Sequence, residues 1–231
     1  TTTIFQAPSK PVILPGCIAG ESLLSQIIVD KFLYHLPEYR QAKRFKELEV
    51  EIPTSSINRW VHVLADKLYG LYAAQMERVL SGNYIQVDET THPITDRPGS
   101  ARKGYIWAVR SVLFPGVFFY YDKGSRSQEV VLKMLKGYQG ALQTDGYAAY
   151  SIYEEKEGVL PLGCMAHVRR KFEQALTTMP EAKPALDYIA LLYMLEDNLK
   201  AEGADHEQIR REREEKAYPI LQQMEIWMQQ A

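Results

Sequence analysis

Two aspartates have the setting of groups that could do chemistry together. Asp88 follows the alternating stretch Tyr84-Ile85-Gln86-Val87, and Asp145 follows Ala141-Leu142-Gln143-Thr144. If these stretches are neighbouring strands, both carboxylates reach the same edge of one sheet. Carboxylates brought together repel unless a cation or a proton lies between them. Hard oxygen ligands suit Mg2+ or Mn2+ rather than zinc. Two such ions about 3.5–4 Å apart can activate an attacking oxygen and stabilise a leaving one in phosphodiester chemistry. The plainer alternative is that two of the chain's 29 acidic residues happen to end strands. Glu89 should point to the opposite face from Asp88 and is not assigned as a ligand.

Cys164-Met165-Ala166-His167 is a Cys-x-x-His pair. A structural zinc needs two further ligands at matching spacing, and Cys17 is too remote to suggest them. The alternative is a small buried thiol beside a histidine bonded to backbone or carboxylate. Glu173 reads as part of a solvated helix face. The net charge of −2 gives no global nucleic-acid signature. Any DNA contact must come from local patches: Arg40 to Lys46, with Lys43, Arg44 and Lys46, or Arg169-Arg170-Lys171.

The elements that must position these groups follow from periodicity. Residues 1–20, with Pro8, Pro11, Pro15, Gly16 and Gly20, read as an irregular arm. Leu23, Leu24, Ile27, Ile28 and Phe32 repeat at helical spacing within a helix over 22–36. A second helix, with a basic face, spans 39–48. Thr54-Ser55-Ser56 offers N-cap chemistry for a third, through Trp60, Val61 and Leu64, and a longer helix follows over 65–80. The region 21–81 has the shape of a helix-turn-helix, in which Ser55, Ser56, Asn58 and Arg59 would face DNA. A small helical bundle without a ligand fits the same spacing.

From residue 82 the pattern changes. Strands are expected over 83–89, 104–112, 117–121, 141–144 and 159–162, with a loop over 91–103. A helix begins near Ser125 and Gln128, which have capping-box spacing, and Gly137 can end it. Tyr147, Tyr150 and Tyr153 share one helical face, and another helix covers 166–176. The order β-β-β-α-β-α-β-α fills 82–179, and a charged helical stretch occupies 180–231. This is a mixed-sheet α/β domain between two helical regions.

The 231 residues allow one or two domains, and 46% hydrophobic with 24% charged residues is ordinary for a globular protein. There is no run of roughly 20 apolar residues and no signal peptide. Two cysteines do not make a disulfide framework, so the cytoplasm is the expected compartment. Thr1 at the start and the helical character up to Ala231 suggest a piece of a longer protein.

Several ordered segments resemble the bacterial transposases of the insertion-sequence sixty-six family. They are Lys31-Phe32-Leu33-Tyr34-His35-Leu36-Pro37-Glu38-Tyr39-Arg40-Gln41, Glu51-Ile52-Pro53-Thr54-Ser55-Ser56 with Trp60, Val87-Asp88-Glu89-Thr90, Gln143-Thr144-Asp145-Gly146-Tyr147, and Gly163-Cys164-Met165-Ala166-His167-Val168-Arg169-Arg170-Lys171-Phe172. The resemblance implies a ribonuclease-H-like core with a three-acid site of the DDE class, in which Asp88 and Asp145 are the first and second acids and ligands of Mg2+ or Mn2+. It places Cys164 and His167 near that site. It implies cleavage by water and strand transfer by a DNA 3′-hydroxyl, transposon-end and target DNA as partners, and a homo-oligomeric working complex. The family's third acid is a glutamate in an Asn-Asn-x-x-Glu-Arg-type motif that these residues do not contain. The stretch from Pro180 resembles the helical insertion preceding it. The chain alone is therefore expected to be inactive. Two other activities fit the same fold: DNA binding without catalysis, and a nuclease that cuts without joining.

Overall fold

The computed structural model describes residues 13–97 and 99–230. Residues 1–12 of the expected arm lie outside them. The chain divides into two compact units between Ala74 and Gln75, within one long helix.

In the first unit, α1 spans Glu21–Phe32, α2 Glu38–Glu47, and α3 Thr54–Leu80. Ile57, Trp60, Val61 and Leu64 recur at helical spacing on α3 and form a core with Leu24, Ile27, Phe45 and Ile52. Buried Gln41 donates to the carbonyls of Ile27 at 3.3 Å and Leu36 at 3.0 Å, which ties α2 to α1 and to the segment that follows it. Two expectations change here. The third and fourth helices are one 27-residue element. Thr54, Ser55 and Ser56 lie in its first turn instead of capping it, because the Pro53 carbonyl accepts the Ser56 and Ile57 amides. Proline fixes its own φ and supplies an acceptor for the first turn without needing a side-chain cap.

In the second unit, β1 is Tyr84–Arg97, β2 Ser100–Ser111, β3 Val117–Tyr120, α4 Gln128–Met134, β4 Gly140–Thr144, β5 Val159–Gly163 and α5 Met165–Ala175. They build a five-stranded sheet in the order β3-β2-β1-β4-β5. The first three strands are antiparallel neighbours, and β1, β4 and β5 run parallel. Ile85, Val87, Trp107, Val109, Phe118 and Leu142 are buried from the sheet, and Val130, Val131, Met134 and Leu135 from α4 and its end. This mixed α/β architecture is compatible with a ribonuclease-H-like fold.

The loop expected over 91–103 is instead a continuation of the β1–β2 hairpin, paired from Ile85↔Ser111 to Arg97↔Ser100. Pro93, Pro98 and Gly99 are the residues of this stretch that read as a loop. Beyond Gln86, however, β1 has lost β4 as a neighbour and pairs only with β2. An edge strand tolerates proline on its open side. The helix near residue 125 starts after Ser127, and the expected Ser125–Gln128 capping box is replaced by a Ser125 hydroxyl that accepts the Ser127 amide at 3.2 Å. Tyr147, Tyr150 and Tyr153 belong to a 3-10 turn over Ala148–Tyr153, with Tyr147 at its N-cap. Three residues per turn bring positions three apart onto one line, and Tyr150 and Tyr153 are buried.

The remaining helices are α6 Lys183–Ala201, α7 His206–Glu212 and α8 Tyr218–Gln230, with a π-helical turn over Arg213–Ala217. Ala185 and Ile189 of α6 and Met224 of α8 form a small core with Met165, Val168 and Phe172 of α5 and with Trp227. No helix of the described residues is long and apolar enough to cross a membrane.

Candidate active site

Strand alternation determines what β1 presents to each side. Ile85 and Val87 face the core, and Asp88 falls on the other face, with its side chain 58% exposed. The parallel register runs Tyr84↔Ala141, Ile85↔Leu142 and Gln86↔Gln143. Gln86 Nε2 donates to Gln143 Oε1 at 2.6 Å, so these paired side chains meet on one face. The paired register stops at Gln86↔Gln143, so each aspartate follows a paired glutamine by two residues, Asp88 still within β1 and Asp145 beyond the end of β4. Asp88 stands within β1, not at its end, where β4 ceases to cover the strand.

Asp145 sits just past β4, in a turn. Its Oδ1 accepts the Tyr147 amide at 2.9 Å, and Gly146 takes φ +79°, which favours glycine. The β4–β5 ladder ends at Thr144↔Gly163, and the Cys164 amide donates to the Thr144 carbonyl at 2.9 Å. Cys164 is the N-cap of α5, which puts His167 in its first turn. His167 Nε2 lies 3.8 Å from Asp88 Oδ2, and its Nδ1 is buried with no hydrogen-bond partner. The carboxyl ends of parallel strands are a common place for a site: Asp145 and Cys164 follow β4 and β5 there, and His167 of α5 lies near Asp88.

Asp88 and Asp145 offer hard oxygen donors. Among the described residues, no three of His, Cys, Asp and Glu are grouped to hold a metal ion. Mg2+ keeps several waters and takes one or two carboxylates together with substrate phosphates, which is the donor chemistry that aspartates supply.

The basic candidates are dispersed. Lys43 and Lys46 are exposed, and Lys46 lies 4.0 Å from Glu51. Arg44 is ion-paired with buried Asp30. Ser55, Asn58 and Arg59 are exposed and Ser56 half-buried, with Asn58 donating to Glu38 Oε2 at 2.9 Å. Arg169, Arg170 and Lys171 are exposed on α5, and Arg169 pairs with Glu173 at 2.9 Å.

Sequence reasoning overlooked Arg126. It ion-pairs with Glu89, whose side chain is only 2% exposed. Burial disfavours the charge of Arg126, but the hydrogen bond and attraction of Glu89 outweigh it and raise its pKa. Tyr150 donates to the same carboxylate at 3.0 Å. Burial, then the charge of Glu89, pushes the Tyr150 phenol far up, so it stays a donor. The available signal was Glu89 itself: an acid in phase with Ile85 and Val87 must find a partner inside.

The chain matches the family described as "Transposase IS66 family" over residues 16–231. It belongs to the IS66 transposase family. Among proteins similar to this IS66-family chain are three from Sinorhizobium fredii (strain NBRC 101917 / NGR234). Uncharacterized protein y4jD is 30% identical over 96% of this chain and 46% of its own length. Uncharacterized protein y4qI is 30% identical over 97% and 44%, and uncharacterized protein y4hP 28% over 97% and 45%. The IS66-family chain thus spans about half the length of the curated relatives it matches. No solved structure matches it.

Proposed function

We propose that the protein is a DNA transposase of the DDE class, in which the second unit is a ribonuclease-H-like core for metal-dependent cleavage and strand transfer. The observation that supports this reading is the parallel β1–β4 pairing, which ends at Gln86↔Gln143, two residues before Asp88 and Asp145. Membership of the IS66 family supports a transposase-type function in general. The strand order β3-β2-β1-β4-β5 agrees with such a core.

Asp88 and Asp145 would hold Mg2+ or Mn2+, most simply two ions, with a third acid from outside these residues. The bound ions supply activation of the attacking oxygen and stabilisation of the leaving one. The Tyr147 amide occupies Asp145 Oδ1 and leaves the other oxygen free for ligation. His167 stands beside Asp88, with Nε2 3.8 Å from Asp88 Oδ2. Transposon-end and target DNA are the proposed substrates. Lys43, Lys46, Arg170 and Lys171 are exposed cations available to phosphate.

The test is a cleavage and strand-transfer assay with the full-length protein on transposon-end DNA, with Mg2+ or Mn2+. Asp88→Asn and Asp145→Asn should each abolish both steps and leave DNA binding intact. Cleavage that survives either change refutes the assignment. Cutting without joined products favours a plain nuclease, and binding without cutting by the unaltered protein favours a non-catalytic role.

A further inference from the structure

The residue after Asp88 begins a chain of contacts that ends on Asp145. Glu89 Oε1 accepts from Arg126 Nε at 2.7 Å, with a second, shorter contact from the same guanidinium, and Glu89 Oε2 accepts from Tyr150. Both carboxylate oxygens are therefore engaged. Arg126 belongs to the segment between β3 and α4. Its guanidinium carbon lies 3.6 Å from the centre of the Tyr147 ring and 5.2 Å from that of Tyr105. The Tyr147 hydroxyl donates back to the Arg126 carbonyl at 3.2 Å, and the Tyr147 amide donates to Asp145. Tyr150 packs edge-on against both Tyr147 and Trp107.

A buried ion pair is weak support for stability, because a hydrophobic pair often does as well. What this pair adds is direction. A planar guanidinium can donate in its plane to a carboxylate while stacking its face on an aromatic ring, and lysine can do neither well. The two rings and the carboxylate come from three segments: β1, β2 and the turn after β4.

We infer that Arg126, anchored by Glu89, whose other oxygen Tyr150 holds, and stacked on Tyr147, is a positioning residue that holds the Asp145 turn against β1 and so sets the place of Asp145 relative to Asp88. The inference rests on the proposed role of those two aspartates as the metal-binding pair. It gives the Asp145 carboxylate, which stands on a turn, a fixed place relative to a carboxylate on a strand. Groups behind a metal ligand that fix its orientation typically change metal affinity or activity about 10–100-fold when removed.

The test uses full-length protein with Arg126→Lys, Arg126→Met and the double change Glu89→Gln/Arg126→Met. Two quantities are read: amide hydrogen exchange across residues 145–153, and the Mn2+ concentration giving half-maximal cleavage. Both single variants should speed exchange in that turn by about tenfold or more while the Trp107 and Leu142 amides stay protected. Both should raise the Mn2+ requirement about 10–100-fold. The double change leaves no orphaned charge, so a merely structural pair predicts a return to wild-type values, and positioning predicts no rescue. Wild-type exchange and Mn2+ dependence in Arg126→Lys overturn the inference, as does rescue by the double change. Persistent cleavage in Asp88→Asn and Asp145→Asn would instead remove the metal-site reading, and the exchange data would still decide whether Arg126 holds the turn.

Discussion

Gly140 offers the sharpest test of the β1–β4 junction. It opens β4 at φ +124°, and a Cβ added there would fall 2.5 Å from the Asn83 carbonyl oxygen and 2.8 Å from its carbon. These atoms belong to the backbone that leads into β1, and the same oxygen accepts the Ala141 amide at 2.8 Å. No side-chain rotation can relieve the clash in Gly140→Ala. Left-handed strain in a non-glycine residue costs about 1–3 kcal/mol. Forcing packed backbone aside costs a further ~1–3 kcal/mol, so a loss of about 2–6 kcal/mol is expected. In a unit of this size each kcal/mol lowers Tm by about 2–4 °C, so the fall should lie between roughly 4 and 24 °C. Two controls isolate the causes. Gly137→Ala has φ +77° and open space around the added carbon, so it carries only the strain, about 1–2 kcal/mol. Gly163→Ala meets no atom within 4 Å and has no left-handed φ, so it should stay within about 0.5 kcal/mol of wild type. Differential scanning calorimetry of the three variants checks the order. A Gly140→Ala cost no greater than that of Gly137→Ala would show that the junction is not tightly determined, and the register argument for Asp88 and Asp145 would fall with it.

Other outcomes are fixed by the same structure. Asp88→Asn should abolish metal-dependent cleavage yet change unfolding stability by less than about 0.5 kcal/mol, because the side chain is 58% exposed; calorimetry beside the cleavage assay separates the two effects. Lys43→Ala/Lys46→Ala should weaken DNA binding and flatten its salt dependence, as read by a titration at several ionic strengths; an unchanged slope would assign that face to packing or assembly. Arg44→Ala should also destabilise the first unit by about 1–3 kcal/mol in chemical denaturation, since it strips buried Asp30 of its cation. Burial tends to raise the Glu38 pKa, but hydrogen bonds from Lys31 and Asn58 at 2.9 Å each bring it below its ordinary value of 4.5. A depressed carboxylate contributes stability above that value and loses it as pH falls through the folded pKa. The first unit should therefore weaken in acid below about pH 4.5, and Glu38→Gln should flatten that limb of a pH–Tm curve.

Much of the fold could be read from spacing because each element carries its own period. The alternation Ile85-Gln86-Val87-Asp88 gave both the strand and the face of the aspartate, and Leu24, Ile27, Trp60 and Val61 marked helices that do bury those residues. What spacing could not show was pairing. Pro93 looks like a loop residue until one knows that β1 has an open side there. Thr54 to Ser56 have the chemistry of a cap, but the Pro53 carbonyl takes that part. The break assumed near Leu64 rested on local composition, whereas α3 is continuous through it. Arg44 shows the same limit for function. A basic run suggests phosphate, and only the fold reveals that one member of it neutralises Asp30.

The two aspartates also differ in how they are held, and that difference was invisible in the sequence. Asp88 is fixed by a strand hydrogen-bonded to β2 on one side, opposite Ala108. Asp145 has left its strand, and its place depends on a turn secured by Gly146, by its own bond to the Tyr147 amide and by the aromatic residues behind it. A site whose ligands must keep a spacing of a few ångströms is only as well defined as its less constrained member. Glu89 lies next to the fixed aspartate and reaches, through Arg126, the segment that carries the other one. The alternation of β1 thus does two jobs: even positions present Asp88 to the edge, and odd positions send Glu89 inward to organise the turn from behind. An isosteric Glu89→Gln change would leave Asp88 where it is and act on the site only through Asp145.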